Sequence, residues 1–212
     1  MKGYFITFEG GEGSGKSSAI LEIQKYIEQL GLKVITTREP GGIKISEQIR
    51  NVILDVDNTD MAYETEALLY AASRVQHLKE KVVPALEKGY VVLCDRYIDS
   101  SIAYQGYARG LGVEAILGIN MFALKYMPDV TYFIDVKPDI ALKRLNGREK
   151  VDRLDLEKID FHNRVYSGYM EACKLYPSRI ISIDGTQNLE KIISSICENI
   201  KERMMENGII KG

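Results

Sequence analysis

The stretch that decides the fold is Gly10-Gly11-Glu12-Gly13-Ser14-Gly15-Lys16-Ser17, which follows an apolar run at residues 4–8 and precedes a helical pattern. It fits G-x-x-x-x-G-K-[ST], the phosphate-binding P-loop, in which backbone N–H groups curl around phosphates. Four glycines in eight residues keep side chains out of that curl. The pattern predicts that these eight residues bind a nucleoside triphosphate, with Lys16 reaching its β and γ phosphates and the Ser17 hydroxyl as a ligand of Mg²⁺.

Short apolar runs alternate with amphipathic stretches along the rest of the chain. The apolar runs predict buried parallel strands at residues 4–8, 33–37, 90–94, 130–136 and 179–183. The amphipathic stretches predict helices at residues 17–30, 45–54, 64–87, 113–125, 139–145, 156–175 and 189–205. Strands that alternate with helices predict a doubly wound α/β fold, a parallel five-stranded sheet flanked by helices. No linker or repeat divides residues 1–212, so we expect one domain.

Composition excludes several classes of protein. The chain carries 28 Lys and Arg against 30 Asp and Glu, and its net charge of −2 gives no reason to expect binding to long nucleic acids. Cys94, Cys173 and Cys197 are odd in number and far apart, which argues against a disulfide framework or a zinc site. No apolar run approaches the roughly 20 residues of a membrane-spanning helix. We expect a cytoplasmic protein that binds neither nucleic acid nor membrane.

The strand predicted at residues 90–94 leads into Asp95 and Arg96, at the edge where α/β sheets bind ligands. Asp95 suits the surroundings of Mg²⁺, and the Arg96 guanidinium suits a phosphate, which it can bind through two N–H groups. A surface ion pair is the alternative. The later strand exits at residues 135–138 and 184–186 carry no guanine-reading N-K-x-D segment, which argues against a GTPase.

A second cluster of charge holds Arg144, Arg148 and Arg153 in one glycine-containing stretch. Arginines on a mobile loop can neutralise charge during phosphoryl transfer. By charge alone, a solvated connection between two helices explains the stretch better.

Four motifs in this order resemble those of the bacterial thymidylate kinases, over essentially the whole chain. They are Phe8-Glu9-Gly10, Thr37-Arg38-Glu39-Pro40-Gly41-Gly42, Leu68-Leu69-Tyr70-Ala71-Ala72-Ser73-Arg74 and Asp95-Arg96-Tyr97-Ile98-Asp99-Ser100-Ser101-Ile102-Ala103-Tyr104-Gln105-Gly106. The last motif is the most specific. The resemblance implies a P-loop nucleoside monophosphate kinase fold with a short lid. It also implies phosphorylation of dTMP to dTDP by ATP and Mg²⁺, in a homodimer.

The resemblance also implies which residues bind the nucleoside of dTMP. Glu12 corresponds to a carboxylate that binds the 3′-hydroxyl, and Arg74 to an arginine on the thymine edge. Ser101 and Gln105 correspond to base contacts, with Ser101 near N3. Tyr70 corresponds to an aromatic that stacks on the base, although its helical pattern alone favours a core side chain.

Further positions concern the sugar, the methyl group and the phosphate of dTMP. Tyr104 corresponds to an aromatic that crowds the 2′ position, and Pro40 to a contact with the C5 methyl. The resemblance makes Arg38, Arg50 and Arg96 candidates for the monophosphate. Arg50 is equally well explained as an ordinary solvated helix residue.

The lid, expected at about residues 144–155, is implied to supply a transition-state cation. Gly13 stands where some members carry a basic P-loop residue, so the resemblance is to the type with a lid arginine. Arg148 aligns best, and Arg153 matches a more general lid position. The resemblance thus reverses the interpretation as a plain connection and leaves two candidates. With Lys16, Arg96 and Asp95 they form the predicted catalytic set.

Two other functions stay open at this point. One is a kinase for another nucleoside monophosphate or for a deoxynucleoside, against which Arg74, Ser101 and Gln105 argue. The other is a P-loop switch that binds ATP without phosphorylating a small molecule.

Overall fold

The computed structural model describes residues 3–144, 152–154 and 156–210. Its centre is a parallel five-stranded sheet with the order β2-β3-β1-β4-β5. The strands are β1 Tyr4–Glu9, β2 Val34–Arg38, β3 Val91–Asp95, β4 Val130–Asp135 and β5 Ile180–Asp184. The predicted α/β fold is confirmed, and each predicted strand end lies within one residue of the observed one.

Helices cover both faces of this sheet. They are α1 Lys16–Gln29, α2 Lys44–Leu54, α3 Tyr63–His77, α4 Val83–Glu87, α5 Ile98–Ser101, α6 Val113–Ile119, α7 Pro138–Arg144, α8 Ile159–Leu175 and α9 Leu189–Glu206. A π-helical turn, Leu78–Val82, joins α3 to α4, and a second, Ile102–Ala108, extends α5. In the described part of the chain, no helix is both long and apolar enough to cross a membrane.

Two helix predictions need correction. The sequence did not predict α5 and its π-helical extension. The helix predicted over residues 113–125 ends at Ile119, and a short 3₁₀ turn, Leu124–Tyr126, follows it. The helix predicted at residues 139–145 is observed as α7, and position 145 lies outside the described residues.

The central strand β1 explains why helices lie on both faces. All six of its residues are buried, because it pairs with β3 on one side and β4 on the other. Tyr4 and Phe8 pack in the cluster that includes residues of α1 and α9, whereas Phe5 packs in a second cluster on the opposite face. Successive strand side chains point to opposite faces, so an unbroken apolar run requires cover on both.

Strand register brings the predicted site residues to one edge. Phe8 of β1 and Arg38 of β2 both lie opposite Asp95 at the end of β3. The loop after β1, which contains the P-loop, therefore lies beside the exits of β2 and β3. This carboxyl edge is where parallel sheets bind ligands.

Candidate active site

The P-loop is closed around Lys16. Its ammonium donates hydrogen bonds to the carbonyl oxygens of Gly10 and Gly11, both at 3.0 Å, and is 3.4 Å from Ser14 Oγ. Burial lowers the pKa of Lys16, and the charge of Arg96 lowers it further. Gly10 has a φ of 144°, and a Cβ there would lie 2.8 Å from the carbonyl oxygen of Ile134. The fold thus holds a buried cation inside a loop that only glycine permits at this position.

Ser17 and Asp95 form an oxygen-rich corner beside that cation. Ser17 Oγ donates to Asp95 Oδ2 at 3.2 Å. The other carboxylate oxygen, Asp95 Oδ1, is buried and has no hydrogen-bond partner among the described residues. A buried carboxylate oxygen without a partner beside a hydroxyl fits a hard divalent cation.

The turn after β3 holds Arg96 in the left-handed region, with a φ of 69°. Such a conformation is unusual outside glycine and persists only where the surroundings fix it. Here Arg96 N donates to the Phe8 carbonyl at 2.9 Å, and Tyr97 N donates to Glu9 Oε1 at 2.7 Å. Two residues of β1 therefore fix the backbone that presents Arg96.

The Arg96 guanidinium lies between the P-loop and α8. Its Nη2 pairs with the Glu12 carboxylate, and its Nη1 donates to Tyr169 Oη at 2.8 Å and to Ser100 Oγ at 3.2 Å. It also lies 5.2 Å from the centre of the Tyr104 ring. Contacts on several sides orient this cation before any ligand binds.

Glu9, which the sequence did not single out, supports the same arrangement from below. Its Oε2 accepts hydrogen bonds from Ser100 Oγ at 2.6 Å and from Tyr169 Oη at 3.1 Å. Burial raises the pKa of the Glu9 carboxyl to about 7, and the charge of Asp99 contributes to the rise.

A cleft of about 520 Å³ opens on one side of Arg96. Nine predicted residues line it: Glu12, Pro40, Arg50, Tyr70, Arg74, Arg96, Ser101, Tyr104 and Gln105. The sequence did not assign its other lining residues: Glu39, Leu54, Tyr97, Ser100, Asp152 and Leu154. We call this the acceptor cleft, because it is lined by residues that are expected to bind the phosphoryl acceptor.

A second cleft, of about 1020 Å³, opens on the other side and contains the P-loop. We call it the donor cleft; its lining comprises Glu12, Gly13, Ser14, Gly15, Lys16, Ser17, Ser18, Arg38, Glu39, Arg50, Asp95, Arg96 and Arg144. The two clefts share Glu12, Glu39, Arg50 and Arg96. Anionic groups in the two clefts would therefore meet at Arg96 and Arg50.

The Arg74 guanidinium lines the acceptor cleft and is held in a fixed orientation by its protein contacts. Its Nε donates to Glu39 Oε2 at 2.7 Å and its Nη1 to Asn120 Oδ1 at 2.5 Å. Its Nη2 donates to Ser101 Oγ at 3.1 Å and to the Tyr97 carbonyl at 3.2 Å. The side chain is 2% exposed, so its orientation is fixed by the protein.

The remaining predicted residues lie in different surroundings. Of the two clefts, Arg38 lines the donor cleft, and its Nη2 lies 2.8 and 2.9 Å from the two Glu47 carboxylate oxygens. Arg50 donates to the Pro40 carbonyl at 2.9 Å, so it is part of the site wall rather than a freely solvated helix residue. Tyr70 is half-buried and lines the acceptor cleft rather than a closed core.

The structure does not bring Arg153 to either cleft. Its Nε donates to the Ile53 carbonyl at 2.9 Å, and its Nη2 pairs with the buried carboxylate of Glu66. Its catalytic role therefore stays a prediction without a geometric basis here. Arg148 lies outside the described residues.

Several residues that hold the site were missed because their roles have no local signal. Tyr169 reaches Arg96 across 73 positions of sequence, from α8, a helix that the pattern predicts only as amphipathic. Glu39 lies inside a quoted motif, next to Pro40, but only the fold shows that it binds Arg74.

Comparison with known proteins gives one consistent result. The family model described as "Thymidylate kinase" matches residues 8–196. A thymidylate kinase of Halalkalibacterium halodurans is 54% identical over 207 residues, 96% of this chain and 98% of that protein. One of Clostridium novyi is 52% identical over 198 residues, 92% and 97% of the two chains. One of Bacillus velezensis is 51% identical over 208 residues, which cover 96% of this chain and 98% of that protein.

Proposed function

Because the chain belongs to the thymidylate kinase family, we propose that its two clefts hold the two substrates of one phosphoryl transfer, ATP beside the P-loop and dTMP beside Arg74. The protein is an enzyme that converts dTMP and ATP to dTDP and ADP. The observation that carries the residue assignments is the shared wall of the clefts, where Arg96 faces both.

The donor cleft holds the ATP phosphates by backbone N–H groups of residues 11–17 and by Lys16. The Lys16 ammonium donates hydrogen bonds to P-loop carbonyl oxygens. When ATP binds, its charged phosphate oxygens become stronger hydrogen-bond acceptors for this ammonium. Arg96 then lies between the terminal phosphate and the acceptor phosphate. No strong base is needed, because the attacking phosphate oxygen of dTMP is already ionised at neutral pH.

Ser17 and Asp95 are the residues that would hold Mg²⁺, since a hydroxyl and a buried carboxylate oxygen without a partner suit this ion. The chemistry that Mg²⁺ supplies when bound is neutralisation of charge on the terminal phosphates.

In the acceptor cleft we assign the parts of dTMP to the residues that the family implies. Glu12 accepts the 3′-hydroxyl, Tyr104 excludes a 2′-hydroxyl, and Pro40 contacts the C5 methyl. The base edge faces Arg74, Ser101 and Gln105, and Tyr70 stacks on the ring. Arg50 and Arg96, which line both clefts, bind the monophosphate, and Arg38 approaches it from the donor cleft.

Arg148 is the lid cation that we propose for the transition state, within a single P-loop kinase domain over residues 1–212 whose lid spans about 144–155. The burial of Arg153 against Glu66 supports this choice, because Arg153 would have to leave its buried partner to reach a phosphate.

A homodimer in the cytoplasm completes the proposal. Exposed apolar side chains on adjoining elements support the dimer: Ile45 and Val52 of α2, Leu68 of α3, and Met121 and Phe122 after α6 are each 46–60% exposed. Helix α3 packs against both α2 and α6, so these side chains lie on neighbouring elements. We call these five residues the apolar face; burial against a second copy removes it from water.

The deciding experiment is a coupled assay of ADP release with ATP and Mg²⁺, run with the monophosphates of thymidine, uridine, adenosine and cytidine. We expect release that depends strictly on dTMP. Release with another nucleotide instead would favour the broader kinase, and ATP binding without acceptor-dependent release would favour the switch.

A further inference from the structure

A buried carboxylate, Glu66 of α3, lies behind the acceptor cleft without lining it. Its side chain has no exposed surface. Its Oε1 accepts hydrogen bonds from Gln105 Nε2 at 2.9 Å and Arg109 Nε at 3.3 Å. Its Oε2 accepts from Arg109 Nη2 at 3.2 Å and from Arg153 Nη2. Glu66 thus connects one base-contacting residue with two arginines outside the clefts.

The surroundings keep Glu66 ionised. Burial alone would raise the pKa of its carboxyl, but the Gln105 hydrogen bond, the charge of Arg109 and the hydrogen bonds from Arg153 and Arg109 outweigh burial and lower that pKa. An ionised carboxylate has no proton to donate. Any polar atom that faces Glu66 must therefore be a donor.

This requirement fixes the orientation of the Gln105 amide. Its nitrogen, the only donor of the side chain, faces Glu66, and its carbonyl oxygen accepts none of the hydrogen bonds formed between described residues. Gln105 is 1% exposed, but it lines the acceptor cleft. With the nitrogen held against Glu66, the Gln105 polar atom that takes part in none of the described hydrogen bonds is its acceptor oxygen.

We propose that Glu66 is a positioning residue that selects the base. By holding the Gln105 nitrogen, it presents the Gln105 oxygen to the N3–H of thymine, beside Ser101, whose Oγ accepts from Arg74, and it disfavours cytosine, whose N3 is itself an acceptor. Four of the five Arg74 N–H groups are bonded within the protein, and the second N–H of Nη1 suits the thymine O4. The inference rests on the proposed function, because it places the dTMP base against Gln105.

The substitution Glu66→Gln tests the positioning role of Glu66. Arginine N–H groups need an oxygen opposite them, so Arg109 and Arg153 determine on which side the new NH₂ group of residue 66 lies. Two arginine nitrogens, Arg109 Nη2 and Arg153 Nη2, donate to Oε2, whereas one, Arg109 Nε at 3.3 Å, donates to Oε1, so the oxygen is retained at the Oε2 position. The NH₂ group then replaces Oε1 and faces Gln105, which turns its oxygen towards position 66 and its own NH₂ towards the cleft. The site then offers thymine N3–H a donor instead of an acceptor.

The measurement is kcat/KM for dTMP and for 5-methyl-dCMP, which keeps the methyl group and differs from dTMP only at the N3 and C4 edge. We expect the ratio of the two values to fall by about 10- to 100-fold in Glu66→Gln. Equal losses for both substrates, with the ratio unchanged, would mean that Glu66 only supports the fold and would overturn the inference.

A swapped pair, Glu66→Gln with Gln105→Glu, is the matched control. It keeps one carboxylate near the arginines, should Glu66→Gln alone fail to fold. It also restores an acceptor-only group to the cleft, so we expect a preference for dTMP close to that of the wild type. A swapped variant that has lost this preference contradicts the inference. A wild-type enzyme without dTMP-dependent ADP release overturns both proposals, whereas an active one with an unchanged ratio in Glu66→Gln overturns this inference alone.

Discussion

At the scale of single residues, Lys16 is the cation on which the donor cleft depends. It is buried within the P-loop and bonded to two of its carbonyl groups. We expect Lys16→Met to lower kcat by several powers of ten, because the transferring phosphoryl group loses its closest fixed positive charge. Steady-state and single-turnover kinetics measure the change.

Lys25→Met is the matched control on the same helix. Lys25 is exposed and, among the residues that the structure describes, its ion-pair partner is the surface carboxylate Glu22, so its loss is expected to leave kcat within twofold. Near-normal turnover of Lys16→Met would remove Lys16 from the mechanism.

The buried Glu9 predicts a pH dependence of stability. Its pKa is raised from 4.5 to about 7, so the folded protein keeps this proton over a range in which the unfolded chain has lost it. The free energy of unfolding contributed by Glu9 is therefore greatest below about pH 4.5 and falls by about 1.4 kcal/mol per pH unit up to about pH 7.

Urea denaturation of the wild type and Glu9→Gln between pH 5 and 8 measures this contribution. We expect the wild type to lose more stability than the variant on going from pH 5 to 7. Glu202→Gln changes an exposed carboxyl of α9 and should follow the wild-type profile. Parallel profiles for the wild type and Glu9→Gln would show that Glu9 titrates normally.

Substitutions of the two lid arginines, Arg148 and Arg153, are expected to have different effects on kcat and on the free energy of unfolding. Arg148→Ala is expected to lower kcat by roughly 100-fold or more with little change in the KM for dTMP, since a transition-state cation acts on the chemical step. Arg153→Ala leaves Glu66 with one arginine, so we expect a loss of about 2 kcal/mol in unfolding free energy. Unfolding curves and initial rates of both variants decide this; a reversed pattern would make Arg153 the catalytic cation.

At the scale of elements, the strands were predictable and one functional helix was not. Runs of β-branched and aromatic residues between turn residues predict strands, and all five are observed. The segment Ile98–Ala108 contains Asp99, Ser100 and Gly106, which are weak helix formers, so no local pattern predicts it. It is helical because it packs against α8 and α6, which is tertiary information.

The close contact between this segment and α8 is made at Gly168. A Cβ at that position would lie 2.7 Å from Ala103 Cα and 2.8 Å from Tyr107 Cβ. We expect Gly168→Ala to lower the unfolding free energy by about 1–3 kcal/mol and to raise the KM for dTMP, because the displaced segment carries Gln105 and Tyr104.

Gly118→Ala is the matched control, since a Cβ there meets nothing within 4 Å in helix α6. It should stabilise the protein slightly, because alanine favours helix more than glycine does. Thermal unfolding and dTMP saturation curves of both variants report the difference, and equal effects would contradict the tight packing.

At the scale of the whole molecule, motif and fold each accounted for part of the site. Lining residues such as Glu12, Arg74 and Gln105 could be predicted because they lie in ordered motifs. Their supports could not, because Glu66, Asn120 and Tyr169 meet them only through the packing of distant helices. The net charge of −2 likewise does not predict the cluster of cationic side chains that lines the donor cleft.

The proposed dimer gives a prediction at this scale. Leu68→Glu places a charge on the apolar face of α3, and we expect it to convert a homodimer to monomers in sedimentation velocity experiments. Leu21→Glu is the control, because Leu21 is as exposed, at 55%, but lies on α1 outside the apolar face. A wild type that sediments as a monomer would refute the dimer.

The wall shared by the two clefts has a thermodynamic consequence. Arg50 and Arg96 line both clefts, so an anion bound in one cleft changes the electrostatic potential that an anion meets in the other. Binding of the two nucleotides is therefore energetically coupled. By reciprocity, the factor by which bound ATP changes the affinity for dTMP equals the factor by which bound dTMP changes the affinity for ATP.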